Sequence, residues 1–428
     1  MKVAIIGTGI SGLTCARRLA DHHEVTVFEA RSRIGGHTNT VPVTVGERQF
    51  QIDTGFIVYN ERTYPHFTRL LDELRVNTQP TSMSFSVRCD RTGLEYNGTN
   101  LNGVFAQRRN LMRPSFLRLL RDILKFNRRG PTDVHKVPTH QTVGQYMDEH
   151  GFSQQFAEQY LLPMGAAIWS CPSKTFAEFP IHFILEFYHN HGLLALSNRP
   201  VWRVIEGGSK NYLPALTEPF RDRIRTSCPV KSVRRCEDHV DVSFEGGEES
   251  FDEVVFACHS NQALQMLADP DAEEVSLLSA FPWSRNTAVL HTDESVLPKR
   301  RRAWASWNYR IGREEETRPT VTYNMNILQG IKSETTFCVT LNDDNINPEL
   351  IHGTFEYEHP VFTTSRATWQ ARHNEFIRRR RTSFCGAWWR NGFHEDGVVS
   401  ALTVAQKFGS HEPPLQECSP AESNRGFT

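Results

Sequence analysis

Three glycines near the start carry the first chemical signal. Gly7, Gly9 and Gly12 form G-x-G-x-x-G directly after the apolar run Lys2–Ile6 and directly before a helix-like stretch over 13–20. In that context the spacing predicts a dinucleotide cradle: Gly7 makes the tight turn, Gly9 admits a pyrophosphate, and Gly12 lets helix and strand pack closely. Ile10 and Ser11 open the helix, whose N-terminal N–H groups face the phosphates. Glu29 ends a second, β-branched run, Glu24–Phe28, where its carboxylate can accept hydrogen bonds from ribose hydroxyls and would repel a 2′-phosphate. Ala30 and Arg31 continue that rim, and NADP is disfavoured there.

These residues need a strand–helix–strand unit to hold them, and one fits within the first 30 residues. Similar signals return later: a buried strand over 252–257 with a helix over 261–268, then a last strand over 383–386 leading into a helix near Gly397. Nucleotide-binding elements thus stand at the beginning, middle and end of the chain. The fold expected is α/β, a Rossmann-like domain (1–75, 205–287 and 376–410) with an interleaved α+β substrate domain (76–204 and 288–375). The Pro-containing polar tail, 411–428, reads as disordered.

A chain of 428 residues suits two domains, and 39% hydrophobic with 23% charged residues is an ordinary globular balance. With 48 basic against 49 acidic residues, overall charge gives no reason to expect nucleic acid. Nine scattered cysteines, with no CxxC pair, read as buried thiols of a reducing compartment. The apolar start is too broken for a signal peptide, and no stretch approaches a membrane span, so a cytoplasmic protein is expected.

Further motifs narrow the reading. Arg33-Ile34-Gly35-Gly36-His37 follows the acidic strand end, and Gln51-Ile52-Asp53-Thr54-Gly55-Phe56 comes soon after. Gly207-Gly208-Ser209, Pro229-Val230, Phe384-Cys385-Gly386 and Glu395-Asp396-Gly397-Val398 then occur in order. Together they resemble the flavin-containing amine oxidase superfamily. The resemblance implies bound FAD, with Arg33, Gly35, Gly36 and His37 along the pyrophosphate and Thr54, Gly55 and Phe56 near the flavin ring. It also implies Val230 at the adenine, and Gly386, Asp396, Gly397 and Val398 at the flavin's pyrimidine edge. More narrowly, the segments from Tyr160 to Trp169, Trp304 to Tyr309 and Gly392 to Gly397 are similar to a bacterial branch described as predicted NAD/FAD-binding proteins. That branch is similar to flavin desaturases of methyl-branched acyl chains in membrane lipids, which implies a lipid substrate.

The chain also departs from an amine oxidase. Ala387 stands where many members have an acid, leaving Asp396 as the candidate ribityl contact, and Phe393-His394 replaces the segment that supplies a cage tyrosine. No cysteine occupies the attachment position, so the FAD should be noncovalent. A second G-x-G-x-x-G is absent, so electrons should leave to oxygen, a quinone or another acceptor rather than arrive from a nicotinamide. His394 is the candidate base beside Phe393, against the alternative of a structural histidine under the flavin edge. Trp169, Phe183, Phe187, Trp304 and Trp307 could line a greasy tunnel. His189 and His191 read as core or pocket wall, and no metal is expected. The functions in play are a dehydrogenase or desaturase of a hydrophobic chain, an amine oxidase, and a nonenzymatic FAD-binding scaffold or redox sensor.

Local charge stands out once. A helix over 115–128, with Ser115 as cap, gathers Phe116, Leu119, Leu120, Ile123 and Phe126 on one side and Arg118, Arg121, Lys125, Arg128 and Arg129 on the other. Such a helix could dock on the inner face of an anionic membrane, or simply pack its apolar face on the substrate domain with its arginines solvated.

Overall fold

Val3, Ala4, Ile5 and Ile6 are all buried, the unbroken apolar run required of a strand covered on both faces. This strand, β1 (Lys2–Ile6), is followed by α1 (Ile10–Leu19), β2 (Glu24–Phe28), β3 (Ile224–Arg225), β4 (Glu253–Phe256), β5 (Thr382–Phe384) and α2 (His394–Lys407). The strands form one parallel sheet in the order β3-β2-β1-β4-β5, with Ile5 opposite Val27 on one side and Val255 on the other. The α/β class is as expected. The computed structural model describes residues 1–138, 140–169, 172–195, 199–313, 320–361, 363 and 366–410. The tail 411–428, Cys171 and Cys418 lie outside the described residues.

Strands from distant parts of the chain flank β1, so α2 is brought against α1. A Cβ at Gly397 would stand 2.8 Å from both Ile10 Cγ2 and Ser11 Oγ, so glycine there sets the approach of the two helices. Helix α2 begins at His394 rather than near Gly397, because Asp396 Oδ2 accepts the backbone N–H of Phe393 at 2.8 Å and closes an earlier first turn.

Beside three small sheets, the rest of the chain builds a seven-stranded sheet in the order Ile351–Pro360, Trp283–His291, Cys338–Leu341, Thr320–Asn324, Trp307–Ile311, Phe85–Cys89 and Leu94–Asn97. All its pairs are antiparallel except the parallel contact of Trp307–Ile311 with Phe85–Cys89. The strand Trp283–His291 lies wholly in this sheet and runs across position 287. Helices Pro114–Asp133, Leu162–Trp169 and Ile181–Asn190 pack together in an aromatic core that includes Phe116, Phe126, Phe156 and Tyr188.

The helix expected over 115–128 starts at Pro114 and reaches Asp133, and its N-cap is Arg113, not Ser115. Proline suits the first helical position because its missing N–H would lack an intrahelical partner anyway. Among the described residues no helix is long and apolar enough to cross a membrane. Cys15, Cys89, Cys338 and Cys385 are buried free thiols, whereas Cys228, Cys236 and Cys258 are only half-buried.

Candidate active site

One continuous cavity of about 1490 Å³ begins at Gly7, Gly9, Ile10, Ser11, Glu29, Ala30, Arg31 and Gly36. That exceeds the roughly 300–1,000 Å³ of a pocket for one drug-sized ligand, leaving room for a dinucleotide and a substrate together. The glycines divide the work as expected. No atom lies within 4 Å of where a Gly9 Cβ would stand, so it faces open space, whereas a Cβ at Gly12 would fall 2.0 Å from Gly7 O. Gly7 has φ +111°, a left-handed conformation that glycine tolerates. No side chain caps the first turn of α1, so its N–H groups are left for an anion. Glu29 is held by the backbone N–H groups of Thr8 (3.1 Å) and Arg31 (2.8 Å) and borders the cavity.

Pyrophosphate fits this cradle on a second observation. His37 borders the cavity beside Gly36, stacks on Tyr357 at 5.0 Å, and has a buried Nε2 with no hydrogen-bond partner among the described residues. Burial, with His359 and His259 nearby, holds its pKa well below the usual histidine range. FAD is therefore compatible with the residues present: Gly9, Ile10, Ser11, Gly36 and His37 would hold its phosphates, Glu29 a ribose, and Pro229 and Val230 the adenine end.

Several expected contacts serve the scaffold instead. Arg33 does not border the cavity; its Nη1 donates to the carbonyls of Gly36 (3.0 Å) and Thr38 (3.4 Å), pinning the turn that carries His37. Gly35 and Thr54 also lie behind the wall, while Gly55 and Phe56 are on it. Thr54 N donates to Asn39 O and Phe56 N to His37 O, so the two motifs brace each other. Asp53 is buried, accepting from Thr40 Oγ1 (2.6 Å) and Ser209 N (2.8 Å), which joins the early motif to the Gly207-Gly208-Ser209 turn. Asp396, Gly397 and Val398 are buried within α2 and do not reach the cavity, although Gly386 and Ala387 do. Asp396, expected at the ribityl chain, has its Oδ2 occupied by the backbone N–H of Phe393.

His394 borders the cavity, with its ring and its Nε2 engaged by neighbours. Its ring stacks on Phe56 at 3.6 Å, and its Nε2 lies 3.1 Å from Thr38 Oγ1 and 3.3 Å from Tyr212 OH. Burial pushes its pKa down to about 3, whereas a general base works best near the operating pH. The geometry favours the structural histidine. Phe393 stacks on Phe187 at 5.3 Å, and the two rings form one wall of the inner chamber.

Beyond them the cavity becomes apolar. Trp169, Phe187 and Trp307 line it as expected, but Phe183 packs behind Trp169, and Trp304 turns its Nε1 to Pro298 O at 2.7 Å. Other walls were not read from the sequence. Tyr160, Met164 and Ile168 recur every four residues, on a helical run whose first part, Ala157–Leu161, is a π-turn. Leu120, Ile123 and Asn127 line it from Pro114–Asp133, with the exposed Leu124 at its rim, and Tyr323, Tyr357 and His359 from the large sheet. His191 is pocket wall, with Nδ1 donating to Phe187 O at 2.9 Å. Cys236, His239 and Asp241 form the one group among the described residues close enough to share a metal, and it lies outside the cavity.

This much burial predicts how stability depends on pH. Burial lowers His191, His291, His359 and His373 to about 4 and His394 to about 3, while it raises Asp53 and Asp396 to about 6 and Glu395 to about 7. Below pH 6.5 the unfolded chain takes up protons at five histidines that the folded chain leaves neutral, so acidification removes stability. The three carboxyls act the other way, because folded they bind protons that unfolded carboxylates bind only near pH 4. With five sites against three, the urea midpoint of the FAD-free protein is expected to fall from pH 7 to pH 5. A midpoint that rises over that range would contradict the burial of these histidines.

Comparison with known proteins agrees with the geometry. A curated relative, amine oxidase [flavin-containing] A of Canis lupus familiaris, is 25% identical over 246 residues, 56% of this chain but only 45% of its own length. A 4,4′-diapophytoene desaturase of Staphylococcus aureus (strain Newman) is 50% identical over 40 residues, 9% of this chain and 8% of its own. The matches thus span less than half of these relatives. Among solved structures, a CLA-producing fatty acid isomerase from P. acnes superposes with a TM-score of 0.64 at 13% identity, covering 95% of this chain and 98% of its own, which shows a shared fold. The sequence model of the family described as flavin containing amine oxidoreductase matches residues 10–311, and the chain belongs to that family of FAD-dependent oxidoreductases.

Proposed function

We propose that this oxidoreductase is a dehydrogenase of a long lipophilic substrate, the acyl chain of a lipid being the class that fits. The observation that carries the reading is the chemistry of the outer cavity. The carboxylates on the cavity wall, Glu29, Glu356 and Glu358, all belong to its nucleotide end, and the run from Phe187 outward through Ile168, Met164, Tyr160, Ile123 and Phe105 contains none among the described residues. An ammonium drawn into such a tunnel would lose its hydration without gaining a counter-ion, whereas a hydrocarbon chain gains from burial there. Phe187 and Phe393 stack on each other instead of framing a slot for an amine. The names of the diapophytoene desaturase and the fatty acid isomerase are in keeping with this reading, whereas that of the amine oxidase favours the alternative tested below.

FAD bound in the cradle supplies the two-electron acceptor for carbon–hydrogen oxidation. The protein's part is to orient and to exclude water: Phe187, Phe393, Trp307 and Tyr323 line the same cavity as the cradle with apolar ring surface. Trp307 Nε1 is buried without a partner among the described residues, a donor for one polar group of the substrate. Burial lowers His191 to about 4 and His394 to about 3, in keeping with a part in the walls rather than in proton transfer.

Anaerobic mixing tests the substrate class. Detergent-solubilised phospholipid with unsaturated or methyl-branched chains is expected to bleach the flavin of the loaded protein, and primary amines are not. Bleaching by amines alone would overturn the proposal in favour of an amine oxidase.

A further inference from the structure

The outer end of the tunnel meets a surface unlike the rest of the molecule. Nine large apolar side chains are exposed among the described residues, and five of them, Leu101, Leu111, Met112, Leu117 and Leu124, fall between positions 101 and 124. Leu101 and Leu124 also line the cavity, so at these two residues the exposed apolar surface meets the tunnel mouth. Eight basic residues lie between 108 and 129. The one acid in that span, Asp122, is 2% exposed and accepts the backbone N–H of Ser153 at 3.0 Å, so it offers the surface no negative charge.

The helix Pro114–Asp133 arranges these groups differently from the sequence expectation. Phe116, Leu119 and Phe126, expected as a membrane-facing stripe, are buried in the aromatic core and unavailable to a bilayer. Leu117 and Leu124, seven positions apart, share the outward side. At about 100° per residue, Arg128 and Arg121 fall roughly 20° and 40° from Leu117. Arg118, Arg121 and Arg128 are exposed, while Lys125 is committed to His150 O and lies over the Phe152 ring. An apolar edge bordered by arginines, at the mouth of an apolar tunnel, has the composition of a helix lying in a membrane interface.

We propose that this face docks on the surface of an anionic phospholipid bilayer. Met112, Leu117, Leu124 and Leu101 enter the headgroup layer, the arginines meet lipid phosphates, and the tunnel mouth opens against the acyl chains. Charge selects the occupant: a second copy of the chain would oppose like charge to like, whereas an anionic bilayer offers phosphates and hydrocarbon together. The docking rests on its own residues; its use for substrate entry rests on the function proposed above.

Cosedimentation of the FAD-loaded protein with vesicles decides the matter. Binding to phosphatidylglycerol–phosphatidylcholine vesicles is expected, with little to phosphatidylcholine alone, and it should weaken as salt screens the arginines. The triple variant Arg118→Glu/Arg121→Glu/Arg128→Glu, altered only at exposed positions, should keep its flavin spectrum and lose roughly 100-fold in vesicle affinity. Met112→Asp/Leu117→Asp should weaken binding as well. Equal binding to neutral and anionic vesicles, or none to either, would overturn the proposal. Bleaching by detergent-solubilised lipid is read separately, so a failure of docking is distinguishable from a failure of the substrate assignment.

Discussion

Gly9→Val is expected to yield a folded protein that cannot hold FAD. The structure makes room for this substitution, because a Cβ at Gly9 meets no atom within 4 Å beyond its chain neighbours. The isopropyl group would instead fill the space in which the pyrophosphate must approach the backbone. A loss of at least about 100-fold in FAD affinity is expected, roughly 3 kcal/mol, with far-ultraviolet circular dichroism unchanged. Gly12→Val gives the contrast. Its Cβ would fall 2.0 Å from Gly7 O and 3.0 Å from Ala257 Cβ, so helix, turn and sheet would all have to move, and the protein itself should be destabilised. A Gly9→Val protein that stays yellow would mean that the flavin lies elsewhere.

Glu274→Ala should cost the most stability of any single change far from the cavity. Arg235 and Glu274 are 2% and 0% exposed and form a two-pronged pair, with Nη1–Oε1 at 2.5 Å and Nη2–Oε2 at 2.9 Å. Arg235 Nε adds both oxygens of Asp269 at 3.1 Å, and Glu274 Oε2 also accepts the backbone N–H of Asp271. Removing the glutamate leaves a guanidinium largely out of water and strips the N-terminus of the helix Ala272–Ser279 of its reciprocal cap. A loss of about 3 kcal/mol is expected, read as a lower urea midpoint with FAD affinity preserved. Arg235→Met/Glu274→Leu should recover much of it, because neither partner then remains charged and buried. If the single variant lost less than about 1 kcal/mol, the pair would not be the buried ion pair described here.

How legible each part was depended on how local its cause is. The cradle could be read because three glycine spacings and two β-branched runs specify a strand, a turn and a helix within 30 residues. The return of the chain at β5 and α2 could be read because short apolar strands next to glycine are again local signals. Arg33, Asp53 and Asp396 show where that reasoning stops. Each has the charge to touch a cofactor, but each satisfies neighbouring backbone or hydroxyl groups, a choice that depends on partners brought together by folding. The tunnel was the least legible part. Its walls come from many separate segments, and the four-residue recurrence of Tyr160, Met164 and Ile168 was visible but could equally have marked core. The basic helix was recognised as amphipathic, yet which side faces outward was settled only by what Phe116, Leu119 and Phe126 pack against.

The most direct test of the account is a titration of the FAD-free protein with FAD, followed by acid precipitation and measurement of flavin in the supernatant. The account predicts saturation at one FAD per chain, with all of the flavin released by acid, since no attachment to the protein is expected. A protein that neither carries flavin when purified nor takes it up in the titration would contradict the cradle, the family chemistry and the proposed reaction together.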